Sequence, residues 1–304
     1  MSLSRYRRPL WRYPLFQVPL LLLGTCLAVA LLFWLLGLGR VPVAVAIALD
    51  LSSSTYGAEF NTPGSVMAAE IQAVQAYLQK NSSSILRQPN QVQVFGFASG
   101  VKPLTLSFDS DSTKVAQELN QALSPDLPNI IGGGTNLDLA IQEASQALAT
   151  TDGTCRELLV VTDGAVAITP SVISQARERR VKINAIVLGT DSPDLQRASW
   201  LTGGTYLTGD INSLEQLFTE KLFARFNGNW RWILLWLGLG WIALMWLLVM
   251  PLDRWIFQGL FKMRFDFAGR LALFNAFFWT VATPAIFWGI YRLLNWAFPF
   301  ISQC

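Results

Sequence analysis

The chain combines long, uniformly apolar stretches with one extended segment of mixed composition. Three stretches of 21 residues each contain no charged residue, and they cover residues 18–38, 232–252 and 271–291. A helix of this length crosses a hydrocarbon core of roughly 30 Å, so each stretch predicts a transmembrane helix. The segment between the first two stretches has soluble character and is long enough to bury a core of its own.

These stretches divide the chain into seven predicted parts. They are a basic tail 1–17, a transmembrane helix 18–38, a soluble domain 41–228, a second helix 232–252, a basic loop 253–270, a third helix 271–291 and a C-terminal tail 292–304. A cleaved signal peptide is the alternative for the first stretch. The stretch is longer than a signal core, and cleavage at residues 44–46 would remove half of the following strand, so we favour an uncleaved anchor.

The apolar pattern of the soluble segment predicts an α/β fold. Four short runs are nearly continuous in apolar residues, which is typical of strands covered on both faces: residues 43–49, 92–98, 158–162 and 183–188. Two helical stripes lie between them: Met67, Ile71, Val74 and Leu78, and Leu137, Ile141, Ala144 and Leu148. Residues 62–63 (Thr-Pro) predict the start of the first helix, and 170–180 and 213–226 predict two further helices.

This alternation indicates a doubly wound, mostly parallel sheet with helices on both faces, in the manner of Rossmann-like folds. Residues 101–108 are expected to pair back on the run 92–98 as the one antiparallel element. In such sheets, ligands bind beyond the carboxyl ends of the strands.

Oxygen-rich segments follow the predicted strands at these ends. They are Asp50-Leu-Ser52-Ser-Ser54 after the first run, Thr162-Asp163-Gly164 after the third, and the Gly-rich segment 132–136 with Thr135 before a helix. Alone, the aspartate and serines are compatible with a hydrogen-bonded turn. Together, the three segments favour a ligand site.

The chemistry of this set points to a hard divalent cation. Mg²⁺ and Mn²⁺ prefer oxygen ligands in near-octahedral arrangement. The hydroxyls of Ser52, Ser54 and Thr135 would bind directly, and Asp50 and Asp163 would supply charge, directly or through water. Three neutral ligands leave the ion able to attract a further carboxylate. The chain has no histidine, and its three cysteines lack the spacing of a zinc site.

The order Asp50-Ser52-Ser54, then Thr135, then Asp163 resembles the von Willebrand factor type A (VWA) domain and its metal-ion-dependent adhesion site. The resemblance covers residues 41–226. It implies a Mg²⁺ or Mn²⁺ ion whose open coordination position is completed by an acidic residue of a protein partner. Ser53 and Thr55 depart from the glycine and methionine that the family often has there.

The segment 56–61 delays the first helix of the domain. One interpretation is a rim or lid over the metal, in which Tyr56 and Phe60 contact the partner. The other, which we favour, is a surface loop that packs both rings onto the core.

The arrangement of the domain between transmembrane helices looks similar to the bacterial Bat aerotolerance proteins. That resemblance implies a link with AAA+ ATPases of the MoxR type, which are cytoplasmic.

The distribution of charge bears on partner and orientation. Residues 41–230 hold 12 Lys/Arg against 18 Asp/Glu, a net of −6, which argues against a nucleic-acid partner. Basic residues instead flank the apolar stretches: Arg5, Arg7, Arg8 and Arg12, and Arg254, Lys262, Arg264 and Arg270. The positive-inside rule then predicts a cytoplasmic N-terminus and 253–270 loop, with the domain periplasmic or lumenal. Four basic residues on the domain side of the apolar stretches argue against this orientation: Arg40, Lys221, Arg225 and Arg231.

The leading hypothesis is a metal-dependent binding module on a membrane platform, which assembles or stabilises a membrane complex. Its expected partners are an acidic residue of a protein, the lipid bilayer and other integral membrane subunits. A metal-assisted hydrolase is the enzymatic alternative, but without histidine no catalytic constellation is recognisable, so we expect no enzyme. The remaining alternatives are an accessory subunit of a transporter and a regulator of a MoxR-type ATPase, which requires inverted topology.

Overall fold

The computed structural model describes residues 9–56, 60, 62–83, 88–164, 166–189 and 191–293. The chain divides into two compact units, of which one is Arg40–Gly228 and the other consists of the helices before and after it. The first eight residues of the predicted basic tail and residues 294–304 of the predicted C-terminal tail lie outside the described residues.

A six-stranded sheet forms the centre of the Arg40–Gly228 unit. Its strands are β1 (Val43–Asp50), β2 (Gln91–Phe97), β3 (Val101–Pro103), β4 (Cys155–Thr162), β5 (Val181–Leu188) and β6 (Tyr206–Gly209), in the order β3-β2-β1-β4-β5-β6. Strands β2 and β3 are antiparallel, and the other neighbouring pairs are parallel. The predicted mostly parallel sheet with one antiparallel hairpin is confirmed.

Helices cover both faces of this sheet. One face carries α2 (Val66–Ser82), α3 (Ser112–Ala122) and α8, a helical run of three stretches, Leu214–Gln216, Leu217–Leu222 and Phe223–Phe226. The other carries α5 (Leu137–Ala149), α6 (Pro170–Glu178) and α7 (Pro193–Thr202). The short helix α4 (Leu127–Ile131) precedes the Gly-rich segment. The sequence pattern missed α3, in which Val115 and Leu119 are the fully buried apolar residues.

Strand β1 shows why the apolar runs are continuous. All eight of its residues are buried. Val45, Ile47 and Leu49 join the core beneath α2 and α8, whereas the small side chains of alternate positions (Ala44, Ala46 and Ala48) join the core beneath α5. Because successive side chains point to opposite faces, a strand with helices on both sides buries apolar side chains at successive positions.

The start of α2 differs from the prediction. The helix begins at Val66, and the Ser65 side chain caps it by accepting the Ala68 backbone N–H at 3.2 Å. The backbone N–H of Met67 donates to the Thr55 carbonyl at 3.1 Å. The first turn of α2 is therefore tied to the loop that follows β1.

Among its described residues, the second unit contains three helices that are long and apolar enough to cross a membrane. They are α1 (Pro14–Leu36), α9 (Trp230–Leu260) and α10 (Phe265–Leu293). The apolar helix α9 continues to Leu260 with a π-helical last part, Leu252–Leu260. Much of the segment predicted as the 253–270 loop is thus helical, and residues 261–264 connect α9 to α10.

Helices α1 and α9 pack against each other within this unit. The ring centroids of Phe33 and Trp232 are 5.6 Å apart. The Asn229 side-chain amide donates to the carbonyls of Phe33 and Leu38. These bonds tie the residue before α9 to the C-terminal end of α1 and to the turn that follows it.

Candidate functional site

The carboxyl end of β1 is the point from which the candidate site is built. Strand β1 pairs with β2 on one side and with β4 on the other. The chain leaves β1 toward α2 on one face of the sheet and leaves β4 toward α6 on the other face. Ligand crevices of doubly wound sheets form where neighbouring strands connect to opposite faces in this way.

The Asp50 carboxylate is fixed by two hydrogen bonds at this edge. Asp50 ends β1 and is fully buried. Its Oδ1 accepts the Ser52 backbone N–H at 3.0 Å, and its Oδ2 accepts the Thr162 hydroxyl at 2.6 Å. Burial raises the pKa of Asp50 above its ordinary value, and the bonds from Thr162 and Ser52 counteract that rise. The nearby charge of Asp163 adds to it.

The two serines continue the network to the second aspartate. The hydroxyl oxygens of Ser52 and Ser54 are 3.0 Å apart and share a hydrogen bond. The Ser54 hydroxyl donates to Asp163 Oδ1 at 3.2 Å, which joins residues 109 positions apart in the sequence. Ser52 is buried and Ser54 is exposed, so the network leads from the interior to the surface.

The Gly-rich segment is anchored beside these serines. The Ser53 backbone N–H and hydroxyl both lie 3.2 Å from the Gly133 carbonyl, to which they donate. On the other side, the Gly134 N–H donates to the Ser99 hydroxyl at 2.8 Å. The next backbone anchor is the Asn136 N–H, which donates to the Ala98 carbonyl at 2.6 Å. Thr135 lies exposed between these anchors.

The structure thus joins Asp50, Ser52, Ser54 and Asp163 in one hydrogen-bond network and holds the Thr135 segment against Ser53. All five side chains offer oxygen, the donor type that hard cations prefer. In the described ranges, no three His, Cys, Asp or Glu side chains form a metal-binding group. A cation at this edge would therefore depend on the hydroxyls as well as the two aspartates.

The sequence did not predict the roles of two supporting residues. Thr162 holds one Asp50 oxygen, and Ser99 holds the Gly134 backbone. The signal for Thr162 was its position at the end of β4, directly before Asp163. Ser99 follows β2 and carries no comparable signal, because its role depends on the tertiary approach of the Gly-rich segment.

Tyr56 and Phe60 lie next to the network, in the segment that precedes α2. The Tyr56 hydroxyl donates to the Leu51 carbonyl, and its ring meets Phe60 edge-on at 5.1 Å between centroids. Both rings are partly buried against the core beneath α2. Burial, together with the Asp50 charge, raises the pKa of Tyr56. This packing agrees with the interpretation of the segment as a surface loop that packs both rings onto the core. Contact of the two rings with a partner stays a prediction.

The candidate site is a surface edge rather than a closed pocket. Ser53, Ser54, Gly133 and Thr135 are exposed. Two cavities of about 220 and 260 Å³ lie elsewhere, the first lined by residues of α6 and α7 and the second by residues of β2, β3 and α5. An open edge suits a macromolecular partner better than a small molecule, whose sites are concave and enclosing.

Comparison with known families agrees with the motif. The family model described as von Willebrand factor type A domain matches residues 45–165, which run from β1 past β4. The Arg40–Gly228 unit therefore contains a VWA domain, and the resemblance inferred from the sequence is confirmed. No curated protein matches the chain in sequence.

Several solved structures are similar to the chain. An aerotolerance-related membrane protein of Bacteroides fragilis NCTC 9343 is 18% identical, with 60% of this chain and 98% of that chain covered and a TM-score of 0.46. BatB of Bacteroides thetaiotaomicron is 20% identical, with 60% and 97% covered and a TM-score of 0.47. Proximal thread matrix protein 1 of the mussel byssus, solved with a zinc-occupied adhesion-site motif, is 16% identical, with 62% and 48% covered and a TM-score of 0.48.

Proposed function

We propose that this protein is a membrane-anchored VWA domain that binds a partner protein through a divalent cation. Asp50, Ser52, Ser54, Thr135 and Asp163 would hold Mg²⁺ or Mn²⁺, and a carboxylate of the partner would complete the coordination. The binding would assemble or stabilise a membrane complex. The domain lies outside the cytoplasm in this proposal, as the basic residues near the apolar helices favour.

The network from Asp50 to Asp163 carries the proposal. It brings acids from the ends of β1 and β4 together through two serine hydroxyls, and it opens at the surface at Ser54. A capped turn alone does not require a second acid from a distant strand. The bound ion would supply the positive charge that a partner carboxylate needs, and the hydroxyl ligands would leave that charge incompletely neutralised.

Binding is a better account of this site than catalysis. Histidine is absent from the chain, so a general base would have to be a carboxylate. The Asp50 carboxylate already accepts from Ser52 and Thr162, and Asp163 accepts from Ser54. We therefore propose that the domain is not an enzyme, and a Mg²⁺-dependent phosphatase screen of the full-length protein is expected to show no turnover.

A pull-down of tagged full-length protein in mild detergent tests the proposal. We expect a partner to be retained in Mg²⁺ and lost both in EDTA and with Asp50→Ala. Ser54→Ala is the second variant, because Ser54 is exposed and its truncation disturbs the core less. Asp152→Ala is the matched control, because Asp152 is an exposed aspartate outside the site.

The fold of each variant is checked by its circular dichroism and thermal unfolding. A partner that stays bound in EDTA and with folded Asp50→Ala and Ser54→Ala proteins would contradict the proposal. The transmembrane helices would then be the binding surface.

A further inference from the structure

A buried glutamate lies beside the candidate metal site and takes no part in its hydrogen-bond network. Glu70 is in the second turn of α2 and has no exposed surface. Neither of its carboxyl oxygens has a hydrogen-bond partner in the part of the chain that the structure describes. Burying a carboxyl without a partner is costly, so such a group calls for a specific explanation.

The position of Glu70 follows from the start of α2. Met67 is tied through its backbone N–H to the Thr55 carbonyl, in the loop that carries the serines. Residues three apart lie on the same face of a helix, so Glu70 continues the face that begins at Met67. Both side chains are fully buried. Glu70 therefore faces the interior of the domain, one turn after the part of α2 that is tied to the serine loop.

The groups that act on Glu70 belong to the candidate site. Its pKa is raised well above the ordinary value, first by burial and then by the charges of Asp50 and Asp163. The Asp50 backbone N–H acts in the opposite direction and is the smallest of these effects. A divalent cation between the two aspartates would offset their repulsion and attract the third carboxylate as well.

We propose that Glu70 is an electrostatic component of the metal site, whose buried carboxylate strengthens the binding of a divalent cation without being a direct ligand. The inference rests on the proposed function, since it requires that the site binds a metal. Asp50, Asp163 and Glu70 do not form a three-carboxylate ligand group among the described residues. Glu70 therefore acts from the interior and leaves the exposed side of the ion to Ser54, Thr135 and the partner.

Manganese binding to the full-length protein in detergent tests this role. Mn²⁺ is titrated and followed by electron paramagnetic resonance, with Mg²⁺ as competitor. Glu70→Gln keeps the size of the side chain and removes its charge, and we expect it to bind Mn²⁺ at least about tenfold more weakly. Glu143→Gln removes the same charge from an exposed position on α5, and we expect wild-type affinity.

Thermal unfolding separates an electrostatic role from a structural one. Without metal, Glu70→Gln should be at least as stable as the wild type, because an unpaired buried carboxyl has been removed. The rise of the melting temperature in Mn²⁺ should be smaller than in the wild type, because weaker binding stabilises less. Glu70→Asp keeps the charge but leaves a gap, so it should bind Mn²⁺ more tightly than Glu70→Gln.

The outcomes distinguish this inference from the proposed function. Wild-type Mn²⁺ affinity in Glu70→Gln, with binding lost in Asp50→Ala, would overturn the role of Glu70 and leave the metal site standing. Weaker binding in Glu70→Asp than in Glu70→Gln would show that packing matters rather than charge, and would also overturn it. A wild-type protein that does not bind Mn²⁺ would overturn both.

Discussion

At the scale of single residues, the Thr162 hydroxyl determines how the Asp50 carboxylate is held. Its 2.6 Å bond joins the ends of β1 and β4, and both side chains are fully buried. The other Asp50 oxygen is held by the Ser52 backbone. Without Thr162, one carboxylate oxygen would be buried with no partner, and the aspartate could turn away from the serines.

Thr162→Val is therefore expected to lower the free energy of unfolding by about 1–3 kcal/mol, because the change keeps the shape but leaves an acceptor unsatisfied. Mn²⁺ affinity should fall as well. Denaturant unfolding followed by circular dichroism measures the first effect. Thr208→Val, at an exposed position of β6, is the control and should change stability little. Equal effects of the two substitutions would contradict the role assigned to the Thr162 bond.

The sequence reveals the two aspartates of the site more readily than it reveals Glu70. Asp50 and Asp163 follow apolar runs, so their position at strand ends could be predicted from the pattern. Glu70 occupies a helical position where a polar residue normally faces solvent, and only the packing of α2 against the sheet buries it. Its burial is a tertiary property that the periodicity of one helix does not contain.

At the scale of elements, the Gly-rich segment illustrates a close approach that needs glycine. A Cβ on Gly134 would lie 2.7 Å from the Ser99 hydroxyl oxygen, the atom that accepts the Gly134 N–H. A Cβ on the neighbouring Gly133 would meet the Ser53 Cβ at an ordinary 3.6 Å. The two adjacent positions thus differ in tolerance although the sequence shows them as identical.

Gly134→Ala should displace Ser99 and release the backbone next to Thr135. We expect Mn²⁺ affinity to fall about tenfold, in the range seen when supporting residues of metal sites are changed. Gly133→Ala is the matched control and should retain most of the affinity. Mn²⁺ titration of both variants and the wild type measures these affinities. Equal affinities of the two variants would mean that the segment adapts to either methyl group.

Two threonines lie within the apolar helix α10, and their hydroxyls need hydrogen-bond partners there. Sequence patterning places Thr280 and Thr283 in the third span but does not predict their partners. In the structure, Thr280 accepts the Trp246 indole N–H at 2.9 Å and donates to the Ala276 carbonyl, whereas Thr283 donates to Trp279 in its own helix. Thr280 thus links α9 with α10.

Thr280→Val should weaken the packing of α10 on α9 by about 0.6 kcal/mol, the average for such bonds between membrane helices. Thr283→Val removes a hydroxyl that, among the described residues, bonds within α10, and it serves as the control. The thermal stability of the full-length protein in mild detergent should therefore fall slightly more for Thr280→Val. A larger loss with Thr283→Val would show that bonding within α10 matters more than the link to α9.

At the scale of the whole molecule, charge separates the domain from its flanks. Residues 41–230 carry −6, and the rest of the chain holds 11 Lys/Arg against 2 Asp/Glu. The basic residues of the α9–α10 region are close to the ends of two spans, which is where such charges set orientation. The basic residues near the domain, including Arg40 and Arg231, reduce the difference in basic charge between the two sides of the membrane. The positive-inside rule therefore predicts the orientation from a modest excess of basic residues. The orientation matters because it determines which partners can reach the candidate site.

Two inserted protease sites test the orientation. One follows Asp152 in the exposed turn before β4, and the other lies in residues 261–264 between α9 and α10. We expect a protease outside sealed, right-side-out membranes to cut only the first, and inverted vesicles to expose only the second. Cleavage of the Asp152 site only in inverted vesicles would place the domain in the cytoplasm. A cytoplasmic ATPase would then be the partner to look for. The test would be whether acidic residues of that ATPase bind at the candidate site around Asp50.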